Sequence, residues 1–209
     1  MTDGGSNSRT AKSRGHKPRT KAAAPRAFSI DVTGEGLDQA ITWTCLGAHD
    51  PVALATDVAG AIAASIDLPA AETSASLKLS DDNTVRRLNK QWRGIDKPTN
   101  VLSFPMQAPP GARGKEPVEI GDIIIAQETL AREAAEMGIS AHDHFRHLVL
   151  HGLLHLLGYD HENDEEAEVM EALETRILAT LGVADPYAGS DPIGHEGGAP
   201  ANGRSERLR

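Results

Sequence analysis

The feature that most constrains this chain is a histidine-rich run at residues 151–161, which reads HGLLHLLGYDH. Its first two histidines, His151 and His155, are four residues apart, so on a helix their imidazoles lie on one face, close enough to share a cation. Gly158 can take the left-handed backbone conformation that ends a helix and turns the chain. Such a turn would bring His161 back over the same face, and three imidazoles with an open fourth position are typical of a catalytic zinc site.

Two other interpretations of these histidines stay open. His147 extends the same i, i+4 row and could replace His161 as the third ligand. The histidines could also be ordinary buried residues, because leucines and one valine cover nearly the whole circumference of this helix, which should therefore be buried. Histidines on a buried helix need partners. We therefore favour a metal site, and Gly158 supplies the turn that puts His161 ahead of His147 as its third ligand.

The spacing of these histidines equals that of the metzincin proteases, H-E-x-x-H-x-x-G-x-x-H. In those enzymes the residue after the first histidine is the glutamate that acts as general base, whereas this chain has Gly152. The only cysteine, Cys45, is far away in the sequence, which excludes a structural zinc site closed by cysteines. The motif therefore predicts a metal hydrolase that is not a standard metallopeptidase. A zincin-type protease with an unusual base is the first alternative.

Basic residues are concentrated at the start of the chain. Residues 1–26 hold seven lysines and arginines and one aspartate, a local charge of +6, in a chain whose net charge is -9. This composition predicts a disordered basic tail at 1–26, and the Pro/Gly-rich stretch 188–209 predicts a second disordered tail. Between them, residues 27–187 are long enough for a single domain with a proper core. The basic tail could be a solvated tail, an arm for nucleic acid or, less favoured, a transit peptide.

No feature of the sequence predicts a membrane-spanning protein or a secreted one. No apolar run approaches the roughly eighteen residues of a membrane span, and the N-terminus lacks the apolar segment of a secretory signal. A single cysteine fits a reducing compartment. We therefore expect a cytoplasmic protein with no membrane partner.

The periodicity of apolar residues predicts an α+β fold. Alternation predicts strands at 27–33, 75–79, 101–105 and 121–126. Helical spacing with caps and glycine stops predicts helices at 52–68, 82–93, 127–137, 140–157 and 164–181. Alternation at 41–45 is ambiguous, and the Pro/Gly-rich segment 107–119 predicts a loop. The order of elements indicates a small mixed four-stranded sheet packed with about five helices, of which the central one carries the metal-binding histidines.

Two blocks of sequence together resemble the YbeY family of bacterial endoribonucleases. One is the histidine run 151–161, and the other is 93–105, which reads RGIDKPTNVLSFP. Gly121-Asp122 and the closing Asp185-Pro186-Tyr187 also fit, and the resemblance covers about residues 75–187. The resemblance implies a metal-dependent endoribonuclease specific for single-stranded RNA, acting in 16S rRNA 3′-end maturation and in ribosome quality control. It also implies as partners the 16S rRNA precursor, the small ribosomal subunit and its assembly factors, and not DNA.

By the same resemblance, one Zn²⁺ per chain is held by His151, His155 and His161, and Arg93 is the functional arginine. General chemistry supports both roles. A bound metal lowers the pKa of its water toward neutrality, which supplies hydroxide without a glutamate base. A planar guanidinium suits phosphate and the charge that develops on it. Lys97 could help to hold backbone phosphate, and a basic lip of this kind suffices for a short RNA contact even on an acidic domain.

The sequence leaves three alternatives open. Arg93 could instead form a surface salt bridge with Asp96. Asp122 and Asp160 could accept hydrogen bonds from the ligand histidines, or serve only as turn and strand residues. The second alternative to a ribonuclease is a non-catalytic ribosome-assembly factor with a structural metal, which would have a fourth protein ligand in place of an open position.

Overall fold

The computed structural model describes residues 26–34, 43–106 and 116–188, which are organised around a four-stranded mixed sheet. The strands lie in the order β1-β2-β4-β3 and span, in chain order, Ala27–Gly34 (β1), Glu72–Ser80 (β2), Val101–Pro105 (β3) and Val118–Ala126 (β4). β1, β2 and β4 are parallel, and β3 is antiparallel to β4 at one edge. Nearly all of both predicted tails lies outside the described residues, so their disorder stays a prediction.

Five α-helices lie within the described ranges. They are α1 (Pro51–Ser65), α2 (Asp82–Arg93), α3 (Gln127–Met137), α4 (Ala141–Leu156) and α5 (Asp164–Thr180). The predicted α+β fold, with a mixed four-stranded sheet and five helices, is confirmed. None of the helices in the described part of the chain has both the length and the apolar character needed to cross a membrane.

Polar caps set where the helices begin, as the sequence predicts. Asp81 accepts a hydrogen bond from the N–H of Thr84 at the start of α2, and Ser140 accepts one from the N–H of Asp143 at the start of α4. Each cap satisfies a backbone donor that has no partner inside the first turn. α2 stops at Gly94, whose φ of +75° favours glycine. These caps fix the ends of α2 and the start of α4, the two helices that carry most of the predicted site residues.

The sheet separates two apolar layers. Side chains alternate along a strand, so neighbours in β4 point to opposite faces. Ile123 joins the large core that includes α1, α4 and α5, whereas Ile124 joins a smaller cluster with Leu102 of β3 and Val85 of α2. α4 and α2 therefore lie on opposite faces of the sheet, with β3 and β4 between them.

α4 is the central helix, and it lies very close to the sheet. It contacts α1, α3, α5, β3 and β4. A Cβ atom at Gly152 would lie 2.9 Å from Cγ2 of Ile123 and 3.3 Å from Oγ of Ser103. Because the first distance is too short for real carbon atoms, a side chain at 152 requires Ile123 or α4 itself to shift. The glycine therefore allows the close approach of α4 to β3 and β4.

Three predicted boundaries are wrong. α1 ends at Ser65, three residues earlier than predicted, because the backbone of Ile66 is already extended. β4 begins at Val118 and β2 at Glu72, each three residues before its predicted start, because the two strands pair with each other along these first residues. The ambiguous segment at 41–45 includes a 3₁₀ turn at Thr44–Leu46 in its described part.

Candidate metal centre

The C-terminal end of α4 carries two of the predicted ligands, and the turn that follows places the third beside them. Gly158 has a φ of +91°, and its N–H donates to the carbonyl of His155, 3.0 Å away. The chain then reverses over the end of the helix. As a result, the ring of His161 lies with its centroid 5.5 Å from that of His151 and 5.0 Å from that of His155. The turn that the sequence predicts at Gly158 is therefore present, and it does bring the three rings together.

The geometry of these three rings fits one metal ion. Nε2 of His155 lies 3.1 Å from Nε2 of His151. One ring nitrogen from each of His151, His155 and His161 lies within 4.8 Å of the other two. A tetrahedral zinc ion with Zn–N bonds of about 2.0–2.1 Å holds neighbouring nitrogens about 3.3 Å apart. A set of three imidazole nitrogens at these separations could therefore bind zinc after small adjustments.

The surroundings of His155 keep its ring neutral. Burial lowers the pKa of His155 to about 4, and the neighbouring His151 and His161 also oppose a positive charge there. A ring with this pKa is neutral near pH 7 and keeps a lone pair for a metal ion. Protons therefore do not compete strongly for this ligand at neutral pH.

A fully buried carboxylate, Glu174 of α5, lies under the cluster. Its Oε1 accepts a hydrogen bond from Nδ1 of His151 at 2.8 Å, and its Oε2 lies 3.3 Å from Nε2 of His147. The hydroxyl of Tyr187 donates to the same Oε2. Burial alone would raise the pKa of Glu174, but the hydrogen bonds from His147 and His151 outweigh it and hold the pKa at about 2. Glu174 is therefore a buried anion, and both of its carboxylate oxygens accept hydrogen bonds.

The bond to Glu174 orients the ring of His151. A carboxylate only accepts, so the proton of His151 lies on Nδ1 and its Nε2 is left with a lone pair that faces His155. Burial and the charge of Glu174 raise the pKa of Tyr187, so its phenol stays protonated and remains a donor. This arrangement, a carboxylate behind a metal-binding histidine, is common in zinc proteins, where it fixes the tautomer and the ring orientation.

Sequence reasoning missed Glu174 and offered Asp122 and Asp160 for this role. Asp122 is exposed on β4, and Oδ1 of Asp160 lies 3.8 Å from Nδ1 of His155, too far for a hydrogen bond. Asp160 instead accepts from the backbone N–H of His161 at 2.8 Å, which is its alternative role in the turn. One signal was available. Glu174 interrupts the buried apolar row of α5, formed by Met170, Leu173, Ile177 and Leu178, and a buried charge needs a partner.

His147 is the other predicted candidate for third ligand, and its ring centroid lies 6.3 Å from that of His151. It shares Glu174 with Nδ1 of His151, so His147, His151 and Glu174 form a second group that could meet at one ion. Because both oxygens of Glu174 already accept hydrogen bonds, this group is satisfied without a metal. The nitrogen of His151 that keeps a lone pair lies 3.1 Å from Nε2 of His155, which favours the group that contains His155 and His161.

Arg93 does not form the salt bridge that was its alternative role. The carboxylate of Asp96 binds Nε of Arg86 at 2.7 Å and Nζ of Lys90 at 2.8 Å, and these two bonds lower its pKa to about 2. Arg93 is exposed at the end of α2 and forms no hydrogen bond or ion pair within the described residues. The salt-bridge interpretation is therefore wrong, and the guanidinium is available to a ligand.

Lys97 is also exposed, and its ammonium group has no ion-pair partner in the described ranges. Its backbone carbonyl accepts a hydrogen bond from Nδ2 of the buried Asn89 at 2.8 Å, which ties the loop to α2. The described contacts do not join Arg93 or Lys97 to the histidines. These cations lie at the end of α2, across the sheet from α4.

One cavity borders the histidine cluster, and a second lies beside the turn that follows α4. One of about 170 Å³ opens between α4 and α5 beside His151 and His161. The other, of about 380 Å³, lies beside the turn after α4 and is lined by Leu156, Tyr159 and, just past the end of β3, Met106. The first cavity is lined by two of the three histidines, so a substrate can reach the cluster from the side of α5.

The family model and the curated relatives that match this chain carry the same name. A family model described as Endoribonuclease YbeY matches residues 50–182. The chain is 53% identical over 141 residues to the Endoribonuclease YbeY of Bradyrhizobium diazoefficiens, which covers 66% of this chain and 77% of that protein. It is 61% identical over 117 residues to the Endoribonuclease YbeY of Rhizobium etli, which covers 56% of this chain and 67% of the relative. The solution structure of TM1509 from Thermotoga maritima aligns with a TM-score of 0.46 and 24% identity, over 79% of this chain and 99% of the other.

Proposed function

Because this chain belongs to the YbeY family of endoribonucleases, we propose that it is a metal-dependent enzyme that cuts single-stranded RNA during 16S rRNA 3′-end maturation and ribosome quality control. Family membership makes it a hydrolase that acts on RNA. The observation that carries the metal dependence is the convergence of three imidazoles at the end of α4. In this proposal one Zn²⁺ per chain is bound by His151, His155 and His161.

The side chains around the cluster have distinct roles in this proposal. Zinc, when bound, supplies a water of lowered pKa and a Lewis acid for a phosphate oxygen. Glu174 holds the ring of His151, and the buried position of the carboxylate keeps that ring from rotating. Arg93 is the proposed catalytic residue, because its unpaired guanidinium can bind the phosphate and the charge that develops on it. Lys97 is the proposed contact to a neighbouring phosphate.

Packing around the end of β3 supports a single binding surface that includes both the cations at the end of α2 and the histidines at the end of α4. The ring of Phe104 contacts Trp92, which precedes Arg93. A Cβ atom at Gly121 would lie 2.3 Å from the carbonyl oxygen of Phe104 and 3.1 Å from Cδ2 of Leu156, the neighbour of His155. Continuous packing therefore connects the end of α2 with the end of α4, around the short edge strand. In this proposal, an RNA strand that passes around this edge contacts first the cations and then the metal site.

Both alternatives have a specific observation against them. A protease of the zincin type places its glutamate base where this chain has Gly152, and packing against Ile123 leaves no room for a side chain there. A structural metal would have a fourth protein ligand. Within the described residues, the group of His151, His155 and His161 contains no fourth side chain. An open position of this kind favours an enzyme.

The proposed partners follow from the substrate. They are the 16S rRNA precursor, the small ribosomal subunit and its assembly factors, and they place the protein in the cytoplasm. We propose neither DNA nor a membrane as a partner.

The experiment is cleavage of a single-stranded RNA with the sequence of the 16S rRNA 3′ end, with the metal content measured for every preparation. His155→Ala should lose both metal and cleavage. Arg93→Ala should keep the metal and lose cleavage about 100-fold or more, as expected for a group that stabilises transition-state charge. Arg176→Ala, a matched change at an exposed arginine of α5, should keep both. Equal residual cutting by all four proteins would mean a contaminating nuclease, and the protein would then be a metal-stabilised assembly factor.

A further inference from the structure

One large aromatic side chain stands out on the surface beside the unpaired cations. The chain has two tryptophans. Trp43 is buried, with its ring centroid 5.8 Å from that of Phe145, whereas Trp92 is 60% exposed. Burying an indole gains more free energy than burying most side chains. An exposed tryptophan therefore suggests a surface that a ligand covers.

Trp92 is held in place although it is exposed. Its ring contacts that of Phe104 at a centroid distance of 6.0 Å and an interplanar angle of 66°. Phe104 is itself half-buried and packs on the small cluster under α2. An edge contact of this kind supports the indole without covering both its faces. The indole therefore offers ring surface to a ligand while losing little freedom when the ligand binds.

The surface around Trp92 is positively charged. Residues 86–97 contain five lysines and arginines and one aspartate, a local charge of +4, in a chain of net charge -9. The aspartate is Asp96, which Arg86 and Lys90 neutralise. Arg93 and Lys97, on either side of it in sequence, have no ion-pair partner within the described residues. An exposed aromatic ring in the same basic segment as two available cations is complementary to a polyanion that carries flat rings.

We propose that Trp92 stacks on a base of single-stranded RNA while Arg93 and Lys97 bind the adjoining phosphates. This inference rests on the proposed ribonuclease function and adds a substrate contact to it. Aromatic side chains in basic grooves bind single strands in this way, because every base has a face that can stack. Bases inside a duplex already stack on each other, so a site of this kind selects single-stranded RNA. The positive charge around Trp92 distinguishes this surface from an apolar surface that docks another protein.

The position of Trp92 also defines which nucleotide it contacts. The packing from Trp92 through Phe104 and Gly121 to Leu156 separates the indole from the histidine cluster. In this proposal the stacked base lies on a nucleotide beside the cut bond, and Trp92 does not contact the reacting phosphate. Trp92 is a substrate-binding residue in this account, and its loss should affect KM more than kcat.

The test uses the full chain with its metal, on ice, with a short adenosine-rich RNA whose integrity is checked on a gel. RNA should quench the tryptophan emission of the wild type, whereas an abasic chain of equal length should bind more weakly and leave the emission unchanged. Trp92→Phe should lose the quenching but keep the affinity within about two-fold, because phenylalanine also stacks. Trp92→Ala should bind RNA about ten-fold more weakly, within the usual range for one stacked base.

A control variant and the cleavage rate make the test decisive. Val169→Ala removes an apolar side chain of similar exposure, 59%, from α5 and should change neither affinity nor KM. Wild-type affinity and KM for Trp92→Ala, or equal quenching by the abasic chain, would overturn the stacking proposal while leaving the nuclease intact. If Trp92→Ala loses binding to the small ribosomal subunit but keeps its binding to RNA, the stacking proposal is also overturned, in favour of a protein-docking surface. If the wild type neither binds nor cuts RNA, the proposed function fails as well.

Discussion

Oε1 of Glu174 lies 2.8 Å from Nδ1 of His151, so a fully buried carboxylate on α5 fixes a histidine ring at the C-terminal end of α4. Glu174→Gln keeps the size of the side chain but removes its charge. We expect zinc to bind about 10- to 100-fold more weakly, the usual effect of losing such a partner. Competition with a chelator measures this affinity directly, without any RNA.

Tyr187→Phe is the matched control for Glu174→Gln. It removes the hydroxyl that donates to Glu174 but leaves the carboxylate and its bond to His151 in place. Its effect on zinc affinity should be smaller than that of Glu174→Gln. Wild-type zinc affinity for Glu174→Gln would show that the carboxylate does not orient the ligand.

Gly152→Ala tests how closely α4 packs on the sheet. The new methyl group would lie 2.9 Å from Cγ2 of Ile123, and overpacking of a buried site costs about 1–3 kcal/mol. Denaturant unfolding should therefore show a lower free energy of unfolding. Gly60→Ala is the control, because Gly60 lies in α1 with no atom within 4 Å of an added Cβ. Alanine there should raise stability by about 0.5–1 kcal/mol, and a rise in both variants would contradict the packing account.

Asp96→Asn should make the free energy of unfolding less dependent on pH. In the folded protein Arg86 and Lys90 lower the pKa of Asp96 from its ordinary 3.8 to about 2. A lowered pKa contributes stability that is present above the unfolded value and is lost as the pH falls through the folded value. The wild type should therefore exceed Asp96→Asn in stability near pH 6, and this difference should shrink between about pH 4 and pH 2. Unfolding curves across this range measure it, and a constant difference would rule out the ion pairs as its source.

Local features of this fold were predictable, and contacts between distant segments were not. The spacing of His151 and His155 and the turn at Gly158 depend on nearby residues, so the sequence alone predicted that the rings meet. The bond from His151 to Glu174 joins residues 23 positions apart on two helices. No sequence period shows which buried glutamate faces which histidine.

The same reason explains why the sequence left the partner of Asp96 open and misplaced the start of β4. Asp96 is three residues from Arg93 in sequence, but the helix directs Arg86 and Lys90 toward it instead. Gly121 suggested the start of a strand, whereas its φ of +138° and its close approach to Phe104 place it inside β4. Pairing with β2 extends that strand back to Val118.

The most direct test of the central claim is a zinc titration of metal-free protein, with bound zinc and RNA cleavage measured on the same samples. Cleavage should be absent without metal and should rise in proportion to bound zinc, up to one ion per chain. His161→Ala should fail to bind zinc tightly and should stay inactive, whereas His147→Ala should bind one ion. Cleavage by the metal-free protein, or zinc binding that His147→Ala abolishes and His161→Ala preserves, would contradict the account.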